Sequence, residues 1–391
     1  METTRALRRG LAVVVAAVLV AAVVGIALTW PRGPGPATAA TSVAGAQTVR
    51  GDVTATRMLE CRGELAEDRL PDGTLPDTVE CPQATVALAG AGGPAEVTVS
   101  VPPAVYRGGL AAGDAVTLTR YPAADGLAET YVWVDFDRRV PLAVVVGAFV
   151  LVTVLVGRRR GAAALVGLGI GGAAVGFYLL PALVRQEDPV VVSVCAATAV
   201  MGVVLYLTHG VSVRTTAAYL GTVAGLLVTA VVAVLAVDAN HLRGLDDESS
   251  TTVTILTGSV DLRGVVLAGT LVAALGILND VTITQASAVW EVRAADPGAG
   301  FRALFASGMR VGRDHLASTV YTVAFAYAGA ALPTLLLLHL YAQPVGDVLA
   351  TSAIAGEVVR TAVGGISLAV TVPVTTAFAA AAIGARTARA R

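Results

Sequence analysis

Residues 276–292 read GILNDVTITQASAVWEV, setting an Asn–Asp pair, two Thr, a Gln, a Ser and a Glu inside a run otherwise apolar enough to cross a bilayer. At i, i+4, i+7 and i+11, Asp280, Thr284, Ser287 and Glu291 share one helical face, and Gly276 leads into it. With Trp290 as an interfacial anchor, Asp280 lies about 15 Å deep at ~1.5 Å per residue, near the centre of a ~30 Å hydrocarbon core. A central Asp carries an insertion penalty of roughly 2.5–3.5 kcal/mol, so its carboxylate is expected to face the bundle or a wet cavity. The chemistry open to it is exchange of a proton or a cation, with Asn279, Thr284 and Gln285 as hydrogen-bonding neighbours. The alternative is an Asp that only bonds a neighbouring helix and sets packing, and the sequence leaves both open. No lysine or intramembrane arginine is at hand to neutralise it. Protonation, a bound cation or a hydroxyl network must compensate.

A second polar cluster is GRDHLAST, 312–319. Arg313 and Asp314 are expected at the cytoplasmic membrane edge, with His315, Ser318, Thr319 and Thr322 stepping inward as a gate or relay. Histidine is the residue type suited to proton transfer near neutral pH, and a relay role for His315 is one reading; a solvated histidine at a helix start is the other. Pro333, and Pro373 within TVPVTT, predict kinks that free backbone carbonyls. Cys61 and Cys81 fall in a segment expected outside the membrane, where a disulfide is favoured over two unrelated thiols. Cys195 reads as a small apolar filler.

Composition narrows the classes. The chain has 391 residues, 55% hydrophobic and 14% charged, against about 25% charge in soluble proteins. Mean hydropathy is +0.74. A net charge of −1 offers no basic surface for nucleic acid. The four histidines are scattered with no i, i+4 pair, and three cysteines make no metal framework. No P-loop and no nucleophile–base pair appears, so neither enzyme activity nor a metal or cofactor is expected. GLGIGGAAVG contains a GxGxxG match at Gly167, Gly169 and Gly172, but no strand precedes it. Gly167 with Gly171, and Gly172 with Gly176, instead allow close helix approach.

The elements that must hold these residues are membrane-length runs: 11–29, 140–157, 161–184, 189–208, 215–237, 264–288, 316–340 and 358–384, eight in all. The first is either a signal peptide cut near Ala37-Thr38-Ala39 or an uncleaved anchor, and its length favours the anchor. With the N-terminus inside, cytoplasmic segments hold fourteen arginines and the short outer loops four, as the positive-inside rule requires. Both termini are thus expected in the cytoplasm.

The expected organisation is an anchor over 1–30, an extracytoplasmic β-rich domain over 31–139, a seven-helix membrane domain over 140–385 and a basic tail over 386–391. The outer region opens with the linker PRGPGPATAA. Five short alternating runs follow, separated by Pro71-Asp72-Gly73, Gly92-Gly93-Pro94 and Gly113-Asp114, and they predict a small closed β-barrel. The stretch 251–262, with Val253, Leu256 and Val260 at helical spacing, reads as an amphipathic helix on the outer surface or a re-entrant segment. The fold class is therefore an α-helical polytopic membrane protein of about eight transmembrane helices with a β-barrel-like outer domain. Its expected partners are the lipid bilayer, a small ion or solute, and an envelope protein docked on the outer domain.

LGILNDVTITQASAVWEV, followed by GMRVGRDHLASTVYTVAFAYAGAALPTLLLL, resembles the YibE/F family of bacterial multi-pass membrane proteins. DFDRRVPL, LTHG at 207–210 and AGEVVRTAVGGISLAVTVPVTT at 355–376 fit the same pattern, and the resemblance covers about 130–385. It implies an integral protein of the cytoplasmic membrane, often described as permease-like, and supplies no substrate or coupling ion. Family members usually carry Asp-Asp where this chain has Asn279-Asp280, which leaves one carboxylate.

Overall fold

The computed structural model describes residues 2–32, 45–62, 74–89, 94–123, 128–244, 252–253, 260–341 and 344–384. The linker beyond Arg32, the 37–39 stretch, the turn at 71–73, Gly92-Gly93, most of 251–262 and the tail 386–391 lie outside those residues. The chain divides into two compact units, Ala40–Val152 and a second made of Met1–Ala39 with Thr153–Arg391.

The first unit is built on a curled antiparallel sheet. Its strands are β1 (Gln47–Arg57), β2 (Glu60–Cys61), β3 (Val79–Glu80), β4 (Gln83–Leu88), β5 (Glu96–Ser100), β6 (Ala115–Tyr121) and β7 (Thr130–Phe136). The five longer strands run in the order β5-β4-β1-β6-β7. β1 is long enough to serve two neighbours, pairing Gln47–Asp52 with β6 and Gly51–Arg57 with β4, and a bulge between Val53 and Ala55 bends it. At Gly51 a side chain would run into the Ala87 carbonyl across the pair.

Alternation turns Val53, Ala84, Val86, Val99, Val116 and Leu118 inward to one core. The edge strands β5 and β7 come into contact without a hydrogen-bonded ladder, so the expected barrel is curled rather than fully closed. This order, with a short helix (Pro103–Arg107) between β5 and β6, is a Greek-key arrangement. Cys61 and Cys81 are joined by a disulfide, Cα–Cα 5.8 Å, which ties the β2–β3 pair.

Among the described residues, Gly10–Leu28, Arg139–Val184, Pro189–His209, Val213–Ala239, Leu262–Ala295 and Ser352–Ile383 are six runs long and apolar enough to cross a membrane. Phe301–Ala330 and Leu332–Leu340, bent by 61°, add a seventh if taken as one span. The protein is accordingly a membrane protein.

The expected spans 140–157 and 161–184 fall inside the single run Arg139–Val184, whose backbone leaves helical geometry at Arg158 (φ 50°, ψ −131°). Gly161 lies against the Thr153 carbonyl. In a straight helix, residues that far apart in sequence would be separated by ~12 Å. The break at Arg158 is therefore a sharp turn.

In the helical unit, α1 (Glu2–Leu28), α2 (Pro189–His209), α3 (Val213–Ala239), α4 (Leu262–Ala295), α5 (Phe301–Ala330), α6 (Leu332–Leu340), α7 (Val345–Ala350) and α8 (Ser352–Gly384) carry the packing. α2 starts where the Asp188 side chain accepts from the Val190 and Val191 amides, with Pro189 in the first turn, and stops at Gly210 (φ 74°). α3 starts on a Ser212 cap. α8 packs against α3, α4 and α5, and α3 against α4. The α3–α8 approach depends on Gly221 and Gly225, where any side chain would collide with Thr375 and Thr371.

The expected seventh span, 316–340, differs from the structure. α5 begins at Phe301, because Leu304, Gly308 and Gly312 already keep a buried helical stripe ahead of His315. The helix breaks just before Pro333, which has no N–H to continue the ladder. α8, by contrast, runs on through Pro373.

Candidate functional site

α4 presents two different faces. Leu278, Val281, Thr282, Gln285, Ala286 and Val289 are buried. Gly276, Asp280 and Glu291 are exposed, and Thr284 and Ser287 are half-buried. The polar stripe read from the sequence is thus one continuous face turned away from the helical core. The Asp280 side chain is 71% exposed within this chain.

α5 brings one partner to it. His315 Nε2 stands 3.6 Å from Asp280 Oδ2, with the imidazole side chain only 26% exposed. Nε2 is buried and has no hydrogen-bond partner within the described residues. Two groups expected at different depths therefore meet at one level, near the middle of both helices. The backbone carbonyl of His315 accepts from the Ser318 and Thr319 hydroxyls, each at 2.9 Å. Arg313 and Asp314, the other residues of the expected gate, are exposed on α5.

Asn279 points elsewhere. It lines a cavity of about 630 Å³ with Arg160, Gly167, Val204, His209 and Gly276. Its Oδ1 is buried without a hydrogen-bond partner among the described residues. Consecutive residues on a helix diverge by ~100°, so the Asn–Asp pair serves two sides of α4. Gln285 is fully buried, with Nε2 donating to the Gly308 carbonyl and to the Thr376 hydroxyl, both at 2.7 Å. Thr282, which the sequence reading passes over, bonds Thr222 of α3 at 2.7 Å.

A charged pair unremarked in the sequence lies near the start of α8. Arg360 Nη1 donates to Glu357 Oε1 at 2.5 Å, and the guanidinium lies 6.0 Å from the centre of the Tyr327 ring. The available signal is the Glu-x-x-Arg spacing inside AGEVVRTAVGG, which places both charges on one helical face. Among the described residues no three His, Cys, Asp or Glu side chains converge to hold a metal.

The arrangement therefore brings an imidazole to 3.6 Å from a carboxylate on the polar stripe, just beyond hydrogen-bond distance. No curated protein and no solved structure matches the chain. The description YibE/F-like protein matches residues 145–385, which take in α4 with Asp280, α5 with His315 and α8 with Glu357, and the chain belongs to that family.

Proposed function

We propose that this is a permease-type membrane protein in which Asp280 and His315 exchange a proton or a cation as a small ion or solute crosses. The observation that carries the reading is the 3.6 Å approach of His315 to Asp280 midway along two long helices. In an apolar setting one shared proton keeps such a pair neutral overall, as Asp⁻ with HisH⁺ or AspH with His. Removing that proton leaves a bare charge, and charges are costly there. A pair of this kind favours stepwise exchange with whatever reaches the exposed carboxylate.

The finer placement belongs to the same proposal. Taking the turn at Arg158 and the bent α5–α6 pair together gives eight crossings of the bacterial cytoplasmic membrane. Both termini are then cytoplasmic and residues 31–139 external. The arginine bias of fourteen to four supports this orientation. The stacking of Trp30 on Tyr178 at 5.7 Å, with Arg185 donating to the Arg32 carbonyl, supports the span count, since it puts those helix ends on one side. A reporter fused after Arg391 is expected to read cytoplasmic and one inserted near Gly126 external.

Reconstitution in proteoliposomes with an internal pH-sensitive dye and a panel of ions tests the function. Wild-type protein is expected to move protons with one of the ions. Asp280→Asn, which keeps the shape and removes the titration, is expected to insert normally and lose the flux. A flux untouched by that substitution across about pH 5–8 overturns the reading.

A second reading, an envelope interaction protein docking a partner on its sheet unit, is favoured by Val132 and Val134, 45% and 52% exposed on edge strand β7. Under it, charged substitutions at Val132 and Val134 abolish activity in cells; under the first, they leave the liposome flux intact.

A further inference from the structure

We propose that the cavity beneath the α5–α6 bend is a binding site for an apolar molecule carrying one hydrogen-bond-donating head, a hydroxyl or an amine. The cavity holds about 390 Å³, lined by Tyr327, Ala328, Ala331 and Leu335 on one side and by Ile354 and Glu357 of α8 on the other. Binding pockets for small organic molecules fall in the range of ~300–1,000 Å³. The 61° bend at Ala331 turns α6 out of line with α5 beside this space. Tyr327 lies about 18 Å along α5 from His315 at ~1.5 Å per residue, so the cavity is separate from the carboxylate–imidazole pair.

Tyr327, Glu357 and Thr361 bring the polar side chains to its lining. Glu357 is the one charged residue among those lining the cavity. Oε1 is engaged in an ion pair by Arg360, which is itself held over the Tyr327 ring. Oε2 is buried and has no hydrogen-bond partner among the described residues. A charged oxygen withdrawn from water with no donor is unfavourable, and a carboxylate only accepts. The occupant that corrects the deficit therefore brings a donor, with an apolar body to fill the remaining wall. An anionic head is disfavoured by Glu357; Arg360, whose Nε is also buried without a partner among the described residues, is not among the residues that line the cavity.

Full-length protein in lipid nanodiscs can be photolabelled with a long-chain alkyl diazirine ending in a hydroxyl, and with the matched hydrocarbon diazirine. Adducts are mapped by mass spectrometry of the peptides. The hydroxyl probe is expected to label the α5–α6 and α8 peptides around Tyr327 and Glu357 about tenfold more than the hydrocarbon probe, as one hydrogen bond to a charged acceptor predicts. Dodecanol is expected to compete and dodecane not. Glu357→Leu is expected to bring the two probes level. Ala328→Trp leaves the ion pair intact and fills the cavity, so it is expected to remove labelling there while the rest of the chain labels as before. Equal labelling by both probes in the wild type, or labelling that survives Ala328→Trp, overturns the proposal.

Discussion

Gln285 reaches Gly308 and Thr376 from one side-chain nitrogen, at 2.7 Å to each, so a single amide ties α4 to both α5 and α8. The approach is possible because Gly308 and Gly312 offer no side chain. A Cβ at Gly312 would press on Val372 and on the Gln285 amide. This geometry supports a packing role for Gln285 beside the ion-site role that its place in the sequence invites.

Gln285→Leu is expected to destabilise the helical unit by about 1–3 kcal/mol, the cost of removing a buried hydrogen-bonding group and leaving its acceptors unpaired. Thermal unfolding in detergent measures it. Unchanged stability together with a lost ion response would instead make Gln285 a ligand.

Cys61 and Cys81 close a loop of sequence separation 20. By the chain-entropy relation such a bridge stabilises its domain by ~3 kcal/mol. The double variant Cys61→Ser/Cys81→Ser is expected to lower the unfolding midpoint of the sheet unit and spare that of the helical unit. Limited proteolysis with peptide mapping separates the two; equal protection of the sheet with and without the bridge contradicts the expectation.

At the β6–β7 connection, the Tyr131 hydroxyl donates to Glu129, and Arg120 Nε donates to the same carboxylate at 2.7 Å. The tyrosine bond first, and the arginine second, hold the Glu129 carboxyl below its ordinary 4.5. A group whose folded value is depressed contributes stability that is present above its unfolded value and lost as pH falls through the folded one. The sheet unit is therefore expected to weaken on acidification below about pH 4.5. Glu129→Gln is expected to be less stable at neutral pH and flatter through that acid range. Thermal midpoints recorded as a function of pH decide it; parallel curves for the two proteins would remove Glu129 from the acid limb.

Asp280 is visible in the sequence because it breaks an apolar run, and hydropathy registers such a break without any knowledge of the fold. His315 is visible by type, whereas its 3.6 Å approach to Asp280 is not. Arg302, Arg310, Arg313 and Asp314 make 301–315 read as a loop, although Leu304, Gly308 and Gly312 make it a packed helix. Hydropathy measures how wet a segment is on average, and a helix with one buried stripe can be wet on average. The Asn279–Asp280 pair reads as one site in sequence, yet helical geometry sends the two side chains to different surroundings. The Glu357–Arg360 pair reads as the edge of an outer loop, since only the tertiary approach of Tyr327 brings it against a cavity wall.

Asp280 and His315 are expected to act as one unit, and a double-mutant cycle tests that directly. The Asp280 side chain is largely exposed and His315 is its neighbour at 3.6 Å, so neither Asp280→Asn nor His315→Gln empties a packed core. Both variants are expected to unfold within a few degrees of the wild type, since substitutions outside the core usually change stability by less than ~0.5 kcal/mol. If the two side chains share a proton, each single variant disables the same step, and the double variant is no worse than either alone. Residues that act together are non-additive in this way. The measurement is proton flux in liposomes for the four proteins, with thermal unfolding of each in detergent as the control. Losses that multiply in the double variant would mean that the two residues act independently, and the 3.6 Å approach would then be packing alone.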